Sequence, residues 1–328
     1  MSDDSDELSA ILPPSDARAT HVREVLKLGS GDALRVGVVN GAPATAVVAS
    51  SDVNDGLVLR WRPGVEANDE DTTRRRLRAD GSEEGDDDVR IDLLLAMPRP
   101  KVLSRLWAPL ASVGVSTVFV TNAARVERCY FDSKALEREA VEREMLRGLE
   151  QSGGCVMPGV CVVKRFPAAT EAVLCPHPSR GGVDEVADEV AGGRATGGVA
   201  GGGGTDGPAG ARRNGVPREG SATWLVHPPP ARGDPGDPDD PPPVMLMAHP
   251  GGRASLRDAM GGVEGAAGGT RPRRVVIAVG PEGGWTEYEQ RAMKSAGFVE
   301  VALGNRTFAT DVACIALVAA VRERTQSW

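Results

Sequence analysis

The sequence predicts an α/β fold in which a small β-rich unit precedes a larger domain built on a parallel sheet. Three observations carry this. Residues Ile91 to Met97 form a near-continuous apolar run, as expected of a strand buried on both faces. Apolar runs then alternate with helical periodicities, the βαβ pattern that builds parallel sheets. Near the C-terminus, VVIAVGPEGGWTEYEQ (residues 275–290) passes from a buried-type run through a glycine turn into a polar helix. Junctions of this kind let backbone amides approach a ligand closely.

Taken in order, residues 8–65 read as a β-rich unit. ILPPSD is extended, and THVREVLKL spaces His21, Val25 and Leu28 near-helically after Thr20, a candidate N-cap. GSGDALRVGVVNG, PATAVVAS and GLVLRW supply strands between Gly and Asn turns. Residues 66–89 are charged and poorly apolar, and read as an acidic linker or mobile loop. Residues 90–328 form the larger domain. In it, Val102, Leu103, Leu106, Trp107, Leu110 and Val113 share one helical face, so Trp107 is a core residue. STVFVTN is a second strand, and DSKALEREAVEREMLRGLEQSGG a long amphipathic helix that Asp132 or Ser133 could cap. GVCVV is a third strand. From about 177 to 243 the text turns Gly- and Pro-rich, and is expected to be a disordered insertion outside the fold, with ATWLV (222–226) a candidate ordered piece. The sheet resumes with VMLMAHP, RVVIAVG and VEVALG, and DVACIALVAAVRER is apolar enough to be buried or to form a subunit interface.

The chain has 328 residues and a formal net charge of −8. Residues 1–7 and 66–88 hold 14 acidic and 4 basic side chains, so the acidity is peripheral and the rest does not repel RNA. Cys129, Cys155, Cys161, Cys175 and Cys314 include no C-x-x-C pair, which argues against a zinc site or a disulfide framework. No metal is expected. No apolar run approaches membrane-spanning length, so no membrane association is expected. MSDDSDELSA is unlike a signal or transit peptide. The expected compartment is the cytoplasm, or an organelle if a targeting segment precedes this chain.

Three strand exits concentrate glycine with polar side chains: AHPGG, VGPEGGW and LGNRTFAT. Ligands of open α/β sheets bind at such carboxyl ends. There is no G-x-G-x-x-G and no G-K-[ST], which disfavours a dinucleotide or a Walker phosphate site. Glu282 in the second exit repels a polyphosphate and suits a neutral or cationic ligand with an adenosine-like group.

GPEGG followed by LG-x-R and a threonine–acidic pair resembles the RsmE family. Its members are SPOUT-superfamily methyltransferases that act on N3 of a uridine in small-subunit ribosomal RNA. HVREVLKLGSGDALRV is similar to the family's N-terminal segment, KVLSRLWAPLASVGVSTVFVTNAARVER to its helix–strand block, LEQSGG…MPGV to a later segment, and AHP to its His-Pro turn. The resemblance implies a SPOUT-type α/β trefoil-knotted methyltransferase domain with an N-terminal PUA-like β-barrel domain that binds RNA. It implies S-adenosylmethionine as cofactor, small-subunit ribosomal RNA as partner, and a homodimer. His249, Gly280, Glu282, Gly283, Leu303, Gly304 and Phe308 become candidate cofactor contacts. Arg125, Arg306 and Asp311 become candidate catalytic residues: a cation to stabilise anion on the uracil carbonyls, and a carboxylate to orient or accept a proton.

The chain also departs from the family pattern L-G-x-R-[IV]-L-R-T-E-T. Ala309 replaces the second arginine and Asp311 the glutamate, while Phe308 keeps the apolar position. Loss of a planar guanidinium motivates the alternative of a catalytically impaired RNA-binding or ribosome-assembly protein on the same fold. Bland readings stand beside the sharp ones. His21 reads as structural, and His249 as a turn-shaping residue or a ligand contact. Arg74, Arg75 and Arg76 sit among acids as a solvated run, and Cys314 reads as packing.

Overall fold

The computed structural model describes residues 7–61 (except 42 and 53), the backbone of 76–77 and 83–84, and residues 89–174, 222–227, 242–260 (except 253) and 272–325. Seven strands form the central sheet, in the order β10-β9-β8-β7-β12-β11-β13. They are β7 (Arg90–Ala96), β8 (Thr117–Thr121), β9 (Gly159–Val163), β10 (Ala222–Val226), β11 (Val244–Ala248), β12 (Arg274–Val279) and β13 (Val299–Val301). All neighbours pair in parallel except β10 with β9.

Strand alternation sorts the apolar run of β7 between two cores. Ile91, Leu93 and Leu95 face helices α2 (Pro100–Ser112), α3 (Arg138–Ser152) and α7 (Thr310–Thr325). Leu94 and Ala96 face α4 (Phe166–Leu174) and α6 (Glu287–Ser295), with Phe119, Trp285 and Met293. Trp107 is buried as expected, and its indole N–H donates to the Ala135 carbonyl at 2.9 Å. At the N-terminal ends of β7 and β12, the fully buried Asp92 carboxylate accepts from Arg90 Nε at 3.0 Å and Arg274 Nε at 2.7 Å. Two guanidiniums on one carboxylate compensate its desolvation and pin the sheet end opposite the loops of interest.

The N-terminal unit is a four-stranded antiparallel sheet, β1-β4-β3-β2: β1 (Leu8–Leu12), β2 (Ala33–Gly37), β3 (Pro43–Asp52) and β4 (Gly56–Trp61). Its small core is Ala19, Val22, Ala46, Val48, Leu57 and Leu59. The sheet is not closed among the described residues. Asn40, at φ 60°, ties it to the larger domain: its N–H donates to Cys155 O at 2.7 Å, and its Oδ1 accepts from Met157 N at 2.9 Å.

Several expectations are corrected. Thr20 caps nothing: the short helix α1 (Ala17–Thr20) is capped by Asp16, whose side chain accepts from Arg18 N at 2.8 Å, and residues His21–Val25 continue as a π-turn. The Arg18 guanidinium holds the Asp16 carboxyl below its ordinary range. Asp132 and Ser133 do not cap α3 either. The chain there makes two 3₁₀ turns, Arg128–Asp132 and Lys134–Leu136, and the long helix starts at Arg138 after Glu137. Within the acidic linker, β5 (Arg76–Leu77) pairs with β6 (Glu83–Glu84). Most of 177–243 lies outside the described residues, but ATWLV is a strand of the central sheet and not a piece outside the fold. Trp224 there meets Phe119 edge-on at 6.1 Å, so burial beside β9 orders a segment whose surroundings are Gly- and Pro-rich. Helices α4 and α5 (Leu256–Ala259) went unread in the sequence.

Candidate active site

The parallel strands β8, β7, β12, β11 and β13 are consecutive neighbours, so their carboxyl-terminal loops crowd one end of the sheet. The GPEGG loop after β12 is the hub. Glu282 Oε1 accepts from the Arg99 N–H at 3.0 Å, joining the loop after β7. Arg125, exposed on the loop after β8, donates through Nη1 to the Gly283 carbonyl. Thr310 Oγ1, at the start of α7, donates to the Gly280 carbonyl at 3.3 Å. The exit loops at 280–284 and 303–310 are thus tied directly.

The exits of β11 and β13 form the other flank. The His249 N–H donates to Val301 O at 3.0 Å. Its Nδ1 accepts from Gly251 N at 3.1 Å, and its Nε2 lies 3.2 Å from Gln290 Nε2 on α6. With Nδ1 bonded to the turn's own backbone, His249 shapes the turn. Leu303 packs against the core, and Gly304 follows at φ 77° with open space where a Cβ would project. That left-handed backbone strains any other residue type, and a side chain there would enter the space beside the exit loops. Phe308 is 39% exposed, a large apolar side chain left at the rim.

Among the described residues no hydrogen bond or ion pair joins the three candidate catalytic residues directly to one another. Arg125, on the loop after β8, bonds to the GPEGG loop. Arg306 is exposed, and no described ion pair joins it to Asp311. Asp311 is half-buried at the first turn of α7, and the nearest cation to its carboxylate is Arg105 on α2, at 3.8 Å. Arg105 also lines a cleft of about 360 Å³ between α2 and α3, with Lys134, Arg143 and Glu144. The sequence marked Thr310 only as half of the threonine–acidic pair, and Arg105 and Glu289 went unread. Of those two, Glu289 left a local signal, the T-x-x-E of a capping box beginning at Thr286. Burial pushes the Cys161 thiol up to about 12 and the Cys314 thiol upward too, so neither competes for a chemical role. Among the described residues no His/Cys/Asp/Glu group could hold a metal ion, and no helix is long and apolar enough to cross a membrane.

The family described as RNA methyltransferase domain matches residues 86–175 and 240–322, which include every exit loop described above. The chain belongs to this family. The resemblance to the RsmE family is borne out by a relative, the ribosomal RNA small subunit methyltransferase E of Treponema pallidum, 22% identical over 97% of this chain and 87% of the relative. The fold is similar to that of ribosomal RNA small subunit methyltransferase E from Neisseria gonorrhoeae, a structure bound to S-adenosyl methionine. That likeness has a TM-score of 0.54 at 16% identity, covering 98% of this chain and 94% of the other. A methyltransferase from Legionella pneumophila in complex with the cofactor SAM has a similar likeness: TM-score 0.54, 16% identity, 97% and 91% covered.

Proposed function

We propose that this RNA methyltransferase-family protein transfers a methyl group from S-adenosylmethionine to N3 of a uridine in small-subunit ribosomal RNA. The observation that carries the reading is the convergence of the GPEGG and LGNR loops at the start of α7, tied by Thr310 and Gly280. S-adenosylmethionine is cationic at sulfur and carries an adenosine. The site fits this: it offers exposed backbone at Gly283 and Gly304, an apolar rim at Phe308 and an acidic side chain at Glu282, without a polyphosphate motif. Gly280, Glu282, Gly283, Leu303, Gly304 and Phe308 would hold it. His249 supports the adjoining turn.

When bound, the cofactor supplies an electrophilic methyl group, so the protein's task is alignment and deprotonation. Uridine N3 must lose its proton, and negative charge then spreads to the uracil carbonyls. Arg125 is held by one N–H on Gly283 while the rest of its guanidinium fork faces outward, and it is suited to stabilise that charge. Asp311, beside Arg105, is the acidic group at the start of α7 that can orient the base or take its proton. Arg306, exposed on the next loop, is suited to an RNA phosphate or to the same charge. Arg105, Lys134 and Arg143 would continue the basic track along the α2–α3 cleft.

The same reading includes the finer architecture: an RNA-holding PUA-like barrel in residues 8–65, a knotted SPOUT domain in 90–328, and a homodimer. Helix α7 supports the dimer, because its stretch from Val312 to Val321 is uniformly apolar yet leaves Val312 49% exposed. Titration calorimetry tests the cofactor site. The protein should bind S-adenosylmethionine, and Gly304→Val should weaken binding at least tenfold, because it strains the loop and fills the open space. Absence of binding to the unaltered protein would contradict the reading.

A further inference from the structure

Glu289 lies on the first turn of α6, yet its side chain reaches across to another strand's exit. It is only 3% exposed. Oε2 accepts from the Thr286 N–H and Oγ1–H, both at 2.8 Å, which is the helix cap. Oε1 accepts from the backbone N–H of Ala124 at 2.7 Å, in the loop after β8. A capping residue has no need of that last bond. Its effect is to fasten the residue immediately before Arg125 to the helix that follows the GPEGG loop. The Arg125 side chain then donates to Gly283 in that same loop, so the segment is held at two points, one backbone and one side chain.

We infer that Glu289 is a positioning residue: its buried carboxylate fixes the 122–125 loop on the GPEGG loop and so sets where the Arg125 guanidinium points. This rests on the role proposed above for Arg125. The chemistry requires a carboxylate, because all three groups facing it are donors. A glutamine would satisfy two donors at most with its single oxygen. It keeps more bonds by turning that oxygen toward the Thr286 N–H and O–H, which leaves its NH₂ facing the Ala124 N–H. Glu289→Gln therefore keeps the cap and breaks the inter-loop bond. Thr286→Ala does the reverse: it removes the cap hydroxyl and leaves the Ala124 bond.

Amide hydrogen exchange and turnover, measured on the full chain, separate the possibilities. Glu289→Gln should speed exchange in the 122–126 segment, and Thr286→Ala should not. Turnover should fall about ten- to a hundredfold in Glu289→Gln, with S-adenosylmethionine affinity retained, and should hold in Thr286→Ala. The double variant Arg125→Ala/Glu289→Gln should be no slower than Arg125→Ala alone, because both act through one group. Unchanged exchange in Glu289→Gln, or losses that multiply in the double variant, would overturn the inference. If exchange responds as expected but the unaltered protein transfers no methyl group, the proposed function fails and the clamp stands.

Discussion

Arg125→Ala should lower turnover about a hundredfold, on the order of 3 kcal/mol of transition-state stabilisation, while S-adenosylmethionine affinity stays within about twofold. The asymmetry follows from where the side chain sits. Its exposed guanidinium is oriented by the Gly283 carbonyl, so it is part of the site's rim. The glycines that would approach the cofactor do so with backbone, which the substitution leaves in place. Lysine at 125 should recover little, because a point ammonium cannot both hold the Gly283 carbonyl and present a planar fork to a uracil oxygen. Single-turnover kinetics beside calorimetry reads the two effects separately. Equal losses in turnover and in cofactor affinity would place Arg125 in cofactor binding instead.

Gly148→Ala should destabilise the larger domain by about 2 kcal/mol net and lower the melting temperature by roughly 4–8 °C. On propensity alone, alanine in the middle of α3 would stabilise by about 1 kcal/mol. Packing opposes that. A Cβ at 148 would stand 2.1 Å from the Ala108 carbonyl oxygen on α2. That neighbour is helix backbone, so relief requires α2 and α3 to separate, at a cost of about 3 kcal/mol. The two helices share the core of Trp107, Leu110, Met145 and Leu149, which would loosen with them. Thermal denaturation followed by circular dichroism decides the sign; an unchanged or raised midpoint would show that the helices yield freely.

The fold was legible wherever burial writes a period into the text. The run from Ile91 to Met97, the helical face around Trp107 and the strands ending in AHP, GPEGG and LGNR all occupy the places their patterns indicate. Helix starts were less legible. Thr20 and Asp132 are good capping residue types, but capping depends on backbone angle, and Asp16 and Glu137 hold the extended conformation a cap needs. Strand β10 was hidden by composition: five residues in a Gly- and Pro-rich stretch are ordered by the open edge of β9 and by Phe119, which lies far off in sequence. At the candidate site the glycine loops were readable because close backbone approach restricts residue type. The couplings between loops were not. Asp311 meets Arg105, and Glu289 meets Ala124, across 206 and 165 positions of sequence. No local period records such a pairing.

Ala309 keeps the alternative of a silent RNA-binding protein open to experiment, since the family's second arginine is absent there. The position is exposed, just before α7, so any guanidinium placed on it would reach outward and not into the core. Arg125 and Asp311, to which the chemistry is assigned above, both remain, so turnover should persist without that arginine. The most direct measurement incubates the purified full-length protein with methyl-labelled S-adenosylmethionine and small ribosomal subunits from cells lacking it. The RNA is then digested to nucleosides and analysed by mass spectrometry. Labelled N3-methyluridine should appear at one position per subunit. Subunits that bind the protein yet gain no labelled methyluridine would contradict the proposed function.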